Sequence, residues 1–225
     1  MYKGILDKNK KIVETNLHNF KEATYRPTGI YDQYILCNEC DNEVIGGLES
    51  YAAKYFYDNK DIELTVEEDE HIINLMFKGI DYKKFKLFLI SILWRASVSK
   101  QKMFDEINLG TKYDEIARKM ILEGSPGKRD DFPTCIIGLK SDQNLVLKTI
   151  VAPRRLKADG NTAYMFFING LFYWFNISPY NMEDVFNRVP LDENNEMTIG
   201  ILKNKFGDEF LDSFIGRKLR LSKKY

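Results

Sequence analysis

The sequence predicts an α+β protein in which a small knuckle-plus-helix N-terminal module precedes a helical centre and a C-terminal antiparallel sheet with flanking helices. Three observations predict this class: a C-x-x-C segment followed by helical spacing, a long apolar helix from Tyr82, and a change to extended periodicity beyond Pro133. The acidic, polar stretch 58–70 indicates an exposed connection between two parts, either irregular or holding a short strand. We therefore expect a module at 1–60 and a helical and antiparallel-sheet domain at 61–225.

The N-terminal part is expected to hold strands and loops before the cysteines and a helix after them. Residues 1–36 mix charged residues, Asn and Thr around a Pro-Thr-Gly turn, which is not a helical pattern. Cys37 and Cys40 are predicted to form a knuckle turn that ends at Gly46. Apolar residues then recur at three- and four-residue spacing, which predicts an amphipathic helix to about Tyr57.

Two helices are predicted in the centre. The stretch 82–95 is apolar around nearly its whole circumference after the first turn, which is typical of a helix buried in a core. Another helix follows Asn108 and must end near Gly124 and Pro126, because these residues oppose helix continuation. The segment beginning at His71 is also expected to start a helix.

About four antiparallel strands are expected beyond Pro133. The β-rich runs are 134–139, 145–151, 163–168 and 171–177, and Asn169-Gly170 between the last two is typical of a hairpin turn. Helical spacing returns at 182–189 and 199–214, before a basic segment at 217–224. Aromatic residues on both faces of the hairpin predict a core on one face. The other face is expected to be a second packed layer, a subunit interface or a base-stacking surface.

The charge balance excludes a strong overall attraction to nucleic acid. Lysine plus arginine and aspartate plus glutamate both number 33, so any nucleic-acid contact must be a local patch. Two predicted loops are basic and form such a patch if they share one side of the sheet; otherwise they are solvated faces. Their cations are Lys128, Arg129, Arg154, Arg155 and Lys157.

The cysteines and the apolar runs predict a cytoplasmic protein without membrane contact. Three cysteines, two of them in one C-x-x-C, argue against a disulfide-stapled secreted protein. No signal-like apolar region follows Met1, and the longest apolar run, 87–94, is far shorter than the roughly 20 residues of a membrane span.

Cys37 and Cys40 are candidate ligands of a structural zinc ion. Such a site needs four ligands, and the remaining soft candidates are Cys135, His18 and His71. The pair is either a relic turn with reduced thiols or half of a zinc site completed within the chain or across a dimer. A thioredoxin-like role is disfavoured, because no βα unit is predicted to place the pair at a helix N-terminus.

Residues 32–43, which read Asp-Gln-Tyr-Ile-Leu-Cys-Asn-Glu-Cys-Asp-Asn-Glu, resemble the second half of HNH endonucleases and a group of uncharacterised bacterial HNH-like proteins. The family stretch reads roughly N-L-x-x-L-C-x-x-C-[HN]-x-x-K. Asp32 falls on its Asn position, and Asp41 falls on the position that often binds the catalytic metal. The resemblance covers about 15–57, while the family's upstream C-x-x-C and its His-Ile-Ile-Pro signature are absent here.

The resemblance implies a treble-clef-derived ββα-metal nuclease. His18 would deprotonate water, and Asp32 and Asp41 would orient that base or hold magnesium or manganese against the scissile phosphate. The expected function is DNA or RNA binding, or metal-dependent phosphodiester cleavage, in phage defence or a mobile element. The alternative is a non-catalytic interaction or regulatory protein, whose aromatic sheet binds a partner protein or another copy of the chain.

Overall fold

The computed structural model describes residues 12–16, 19–26, 32–33, 35–55, 63–140, 150–158, 161–168, 170–177, 191–203, 207 and 209. Helices and a mixed sheet confirm the α+β class. The helices are α1 (Gly46–Ala53), α2 (Tyr82–Val98) and α3 (Gly110–Glu123). The strands are β1 (Ile12–Asn16), β2 (Asn19–Arg26), β3 (Glu63–Glu68), β4 (Ile72–Lys78), β5 (Thr134–Leu139), β6 (Ile150–Ala158), β7 (Asn161–Ile168), β8 (Leu171–Asn176) and β9 (Glu196–Leu202).

The main sheet is larger than the sequence predicted. Seven strands lie in the order β3-β4-β9-β5-β8-β7-β6, and β1 and β2 form a separate antiparallel hairpin. Every neighbouring pair is antiparallel except β5 and β9, which run parallel. The sheet therefore includes strands from before and after the helical centre.

Three predictions of local structure are wrong. His71 precedes strand β4 and does not start a helix. Residues 199–202 belong to strand β9, because buried Met197 and Ile199 repeat at the two-residue period of a strand. The basic stretch around Arg154 lies inside strand β6 and is not a loop. The runs at 182–189 and 145–149 lie outside the described residues.

The predicted hairpin between β7 and β8 is confirmed. Ile168 pairs with Leu171, and Gly170 adopts a φ of +83°, which glycine tolerates without a steric penalty. Both faces of this hairpin are buried. Tyr164 and Phe166 pack with α2, while Phe167 and Phe172 join a second cluster on the opposite face. The described residues of this second cluster all lie on strands of the same sheet, so the choice among a second packed layer, a subunit interface and a base-stacking surface stays a prediction.

Helix α2 is the centre of the larger core. Residues 85–94 are all buried, and Phe85, Ile90 and Leu93 have no exposed surface. Asp81 caps the helix by accepting a hydrogen bond of 3.0 Å from the Lys84 amide. One face of the sheet and helices α1 and α3 supply the apolar side chains around α2. No helix in the described part of the chain is both long and apolar enough to cross a membrane.

Helix α1 packs into this same core. Ile45, Leu48 and Ala52 are buried among the residues that surround α2. The guanidinium Nη2 of Arg95 lies 2.8 Å from Oε1 of Glu49, which ties α2 to α1. Arg95 is therefore a paired structural cation. The predicted domain boundary near residue 60 stays a prediction.

A buried lysine on α2 organises the loop between α3 and β5. Lys86 is 2 % exposed, and its Nζ donates to the carbonyl oxygens of Arg129 at 3.2 Å and Phe132 at 3.1 Å. Phe132 has a φ of +49°, which is unusual for a bulky residue. Burial lowers the pKa of Lys86 to about 8, although Asp131 and other nearby carboxylates oppose the shift. The lysine hydrogen bonds therefore hold a strained loop conformation.

Lys86→Met is expected to change how the free energy of unfolding depends on pH. Because the pKa of Lys86 is lower in the folded protein, the unfolded chain binds more protons above pH 8. Wild-type stability should therefore rise between pH 8 and 9.5, by roughly 1–2 kcal/mol relative to the variant. Urea unfolding of both proteins at several pH values measures this difference. Parallel pH profiles would contradict a lowered pKa at Lys86.

Candidate dithiol and metal site

The helix that carries the cysteines begins earlier than the sequence predicted. Residues 38 and 39 are already helical, and a π-helical turn, Cys40–Ile45, leads directly into α1. The Gly46 amide donates to the Asp41 carbonyl, which is the i to i+5 bond of a π turn. A Cβ atom on Gly46 would lie only 3.3 Å from that carbonyl oxygen. Gly46 therefore permits the wide π turn, and the prediction that a knuckle turn ends at this residue is wrong.

Cys37 and Cys40 consequently lie at the N-terminus of a helix, contrary to the sequence-based expectation. Cys37 directly precedes the helix, and the Cys40 amide donates to its Sγ over 3.4 Å. The Cys37 carbonyl accepts a bond of 2.9 Å from the Asp41 amide. A sulfur in this position receives the first free amides of the helix, which favour a negative charge.

The two thiols differ in acidity. The pKa of Cys37 is lowered, first by the hydrogen bond from the Cys40 amide and then by the bond from the Cys40 thiol. The pKa of Cys40 is raised, because its thiol donates to Cys37 and because it is partly buried. Cys37 is the exposed member of the pair, while Cys135 lies buried in β5. The pair therefore joins an exposed thiol of lowered pKa, Cys37, to a thiol of raised pKa, Cys40.

Asp32 fixes the chain that leads to the dithiol. Its carboxylate accepts a hydrogen bond from the Ser99 hydroxyl and bonds of 2.9 Å from the Lys100 amide and the Gln101 side chain. The Ser99 bond is the main reason that the pKa of Asp32 lies below its usual range. Asp32 thus joins this segment to the residues that follow α2.

The structure does not gather the predicted catalytic residues into one cluster of described residues. Asp41 is exposed on the π turn, whereas Asp32 is engaged by the residues after α2. Within the described ranges, no three His, Cys, Asp or Glu side chains are placed to hold one metal ion. His18 lies in sequence between the paired residues Asn16 and Asn19 but outside the described residues. Among the predicted site residues, Cys37 and Cys40, here called the dithiol, are therefore the reactive pair that the described part of the structure brings together.

The cations of β6 point to different faces of the sheet. Arg155 lies opposite Tyr164, on the face that packs with α2, and Lys157 shares that face because strand side chains alternate. Arg154 lies opposite Met165, whose side chain belongs to the second cluster. The three β6 cations therefore do not share one face.

The other two predicted nucleic-acid contacts lie in an acidic neighbourhood. The Lys128 amide donates to Asp131 over 2.8 Å, and the Arg129 amide donates to Glu193 over 2.9 Å. The Arg129 guanidinium also lies 3.7 Å from Asp130. Three carboxylates thus surround two cations, which weakens the local attraction for phosphate.

The loop that carries Lys128 and Arg129 and strand β6 also lie near different ends of α2. The carbonyl of Arg129 is bound by Lys86, near the beginning of the helix, whereas the Arg155 amide donates to Glu106, beyond the end of the helix at Val98. From 86 to 98 the helix rises about 18 Å. Nucleic-acid contact by these five cations stays a prediction, and the structure does not bring them together.

Sequence reasoning missed the partners of Asp32. Ser99 and Gln101 follow α2 as ordinary polar residues, and Asp32 lies 67 and 69 positions away in the chain. Nothing in a local pattern links positions so far apart. Aspartate side chains often accept hydrogen bonds from backbone amides near them in sequence. This general preference does not predict which distant groups Asp32 binds.

No protein-family model, no curated protein and no solved structure matches this chain. The chemistry of the described residues therefore carries the functional assignment.

Iodoacetamide at pH 7 is expected to modify Cys37 before Cys40 and to leave Cys135 unmodified in the folded protein. Cys37 is exposed with a lowered pKa, whereas burial raises the pKa of Cys135 to about 12. Peptide mass spectrometry over a pH series should give a Cys37 midpoint below 9. Cys40→Ala should move this midpoint upward, since one hydrogen-bond donor is lost and the backbone amide remains. Faster labelling of Cys40 would contradict the assignment.

Asp32→Ala is expected to lower the free energy of unfolding at pH 7 by about 1–2 kcal/mol, because three donors lose a charged acceptor. Asp41→Ala is the matched control, and its exposed side chain predicts a change within about 0.5 kcal/mol. The pKa of Asp32 is lowered by folding, so its contribution is present above the unfolded value near 3.8 and is lost as pH falls through the folded value. Urea unfolding at pH 7 and pH 3 tests both statements. Equal effects of the two substitutions would remove the anchoring role of Asp32.

Proposed function

We propose that this chain is a nucleic-acid-directed protein whose metal-binding module is HNH-like. One observation supports this above the others: an antiparallel hairpin, β1 and β2, is followed in sequence by a helix with C-x-x-C in its first turn. This is the ββα order that the resemblance of residues 32–43 implies. The hairpin also has His18 in the two-residue link between its paired ends.

The dithiol fits the role of a soft-metal ligand pair. Zinc binds thiolates, and Cys37 is already biased towards the thiolate by its hydrogen bonds. A metal ion would favour loss of the Cys40 proton as well, because metal binding and thiol deprotonation are coupled. Cys37 and Cys40 would hold the ion, and the remaining ligands would come from outside the described residues or from a partner chain.

Cleavage, as distinct from binding, depends on His18 and Asp41 in this proposal. His18 would accept a proton from water, and Asp41 would hold magnesium or manganese, which stabilises charge on the phosphate. Asp32 is better suited to positioning than to metal binding, because its oxygens already accept three hydrogen bonds.

Metal content and plasmid nicking test this proposal on the purified, tag-free protein. Elemental mass spectrometry should find about one zinc per chain, or one per two chains where two copies share the ion, in the wild type and in Cys135→Ala, and none in Cys37→Ser/Cys40→Ser. Magnesium- or manganese-dependent nicking should be lost in His18→Ala, while its unfolding curve stays the same. Absence of both metal and nicking would instead favour the non-catalytic interaction protein.

A second function is favoured by the unequal acidity of the two thiols. An exposed thiol of lowered pKa at a helix N-terminus, beside a second thiol of raised pKa, suits thiol–disulfide exchange. Cys37 and Cys40 would lose two electrons and two protons to form a disulfide, and a partner disulfide would become two thiols. Metal-free protein that forms the 37–40 disulfide with glutathione disulfide would favour this function over the first.

A further inference from the structure

Strand β3 is an open edge of the main sheet. In the described part of the chain it pairs with β4 alone, and each of its six residues is exposed. Its pairing with β4 continues from Glu63 to Glu68 without a bulge. The outer edge of β3 therefore offers a regular row of backbone amides and carbonyls, which is the template that an added strand requires.

The edge at the opposite end of the strand order, β6, is protected. Pro153 lacks an amide hydrogen, and the register with β7 shifts after Val151. The Arg155 amide donates to the Glu106 carboxylate at 3.0 Å. Proline, bulges and covered amides are common protections of edge strands. Strand β3 has neither proline nor a register shift, so its backbone is left regular.

Two apolar side chains extend the core-facing side of the sheet onto β3. Leu64 and Val66 are 45 % and 54 % exposed. They lie opposite Phe77 and Leu75 of β4, which pack with the core around α2. Because strand side chains alternate, an added strand would place every second side chain beside this exposed pair. Two apolar residues spaced two apart would cover it.

The charged residues of β3 are all acidic, and lysines offset those at its two ends. Lys78 Nζ lies 4.0 Å from Oε1 of Glu63, and Lys203 Nζ lies 2.8 Å from Oε1 of Glu68. Lys140 also contributes a favourable charge at Glu68. The ends of the strand are therefore partly neutralised.

Glu67 lies between these ends and opposite Asn74, an uncharged side chain. The turn that follows β3 adds Asp69 and Glu70, so five carboxylates within 63–70 face three lysines. A surface with this excess of negative charge attracts a basic strand and repels an acidic one.

A second copy of β3 fits this edge poorly. Antiparallel self-pairing about the strand centre would place Glu63 against Glu68 and Leu64 against Glu67. A shift that sets Leu64 against Val66 would place Glu63 against Glu67 twice. Like charges directly opposite each other are destabilising in both registers. A strand with basic residues avoids this repulsion.

We propose that β3 binds an extended segment of a partner protein as an additional strand, and that this segment carries apolar residues on one face and basic residues on the other. Its apolar residues cover Leu64 and Val66, and its basic residues lie opposite Glu63 and Glu67, where cross-strand charge pairs are favourable. A shift by one residue would set the basic side chains against the apolar pair, so the pattern selects one register. This binding is independent of the dithiol and of any nuclease activity.

Peptide binding to the full chain tests the proposal. The probe is the acetylated and amidated peptide Lys-Lys-Leu-Thr-Val-Lys, and the control is Lys-Leu-Val-Lys-Thr-Lys, which has the same composition. Adjacent apolar residues point to opposite faces of a strand, so the control cannot cover both Leu64 and Val66 in any register. NMR titration should show saturable shifts of the amides at 63–68, and the probe should bind several-fold more tightly than the control.

Matched variants show whether the probe binds at β3. Leu64→Lys/Val66→Lys should weaken binding several-fold. Ile116→Lys/Leu122→Lys should leave it nearly unchanged, because this variant adds the same two charges at exposed apolar side chains of α3. Glu67→Lys should weaken binding of the probe and strengthen binding of Glu-Glu-Leu-Thr-Val-Glu.

Equal affinities of the probe and the control, or unchanged binding in Leu64→Lys/Val66→Lys, would overturn the proposal. Hydrogen exchange gives an independent measurement, in which the probe should slow exchange of alternate β3 amides. Full protection of β3 in the free protein would also overturn it. Sedimentation then identifies the occupant: a dimer that Leu64→Lys/Val66→Lys dissociates would assign the edge to a second copy, and a monomer would assign it to the chain itself.

Discussion

The rest of the structure depends on covering one helix, α2, whose residues 85–94 are all buried. A helix that is apolar on every side must be surrounded, so neither a sheet nor a second helix alone can satisfy it. One face of the seven-stranded sheet, α1 and α3 together supply that cover. Among the described residues, Lys86 is the cation buried inside this cover, and the carbonyl oxygens of Arg129 and Phe132 accept hydrogen bonds from its ammonium group.

The position of the dithiol depends on this packing around α2. Helix α1 is held against α2 by buried Ile45 and Leu48 and by the pair of Glu49 with Arg95. The segment before the cysteines is held just beyond the same C-terminal end of α2, where the Asp32 carboxylate binds the residues that follow Val98. Two separate attachments to one rigid helix therefore fix the first turn on which Cys37 and Cys40 lie. Reactivity at the surface is thus set by contacts made in and beside the core.

Sequence reasoning succeeded where one local period dominates and failed where distant contacts decide. Helix α2, strand β5 and the Asn169-Gly170 hairpin follow from continuous apolar runs and a turn that needs positive φ. Residues 199–202 of strand β9 were predicted to be helical because their few apolar residues fit the helical period as well as the strand period. The pairing of β9 with β4 and β5, which the sequence does not show, decides for the strand. Gly46 was predicted to end a knuckle turn, but its αR conformation allows a close approach to the Asp41 carbonyl within a helix. The partners of Asp32 were not predictable, since no local pattern encodes a contact across 67 positions.

The π turn at Cys40–Ile45 lets the helix hold one additional residue without turning the dithiol away from its buried anchors. A π turn holds one residue more than an α turn, so the helix stores a surplus residue between the cysteines and Leu48. Deleting that residue would close the turn into ordinary α geometry and leave the cysteines and Leu48 in nearly the same relative orientation. Closing the turn without a deletion would instead rotate the cysteines by about 100° around the helix axis, the angle that one residue of an α-helix spans. A deletion within this turn is therefore a change that the site would tolerate during divergence.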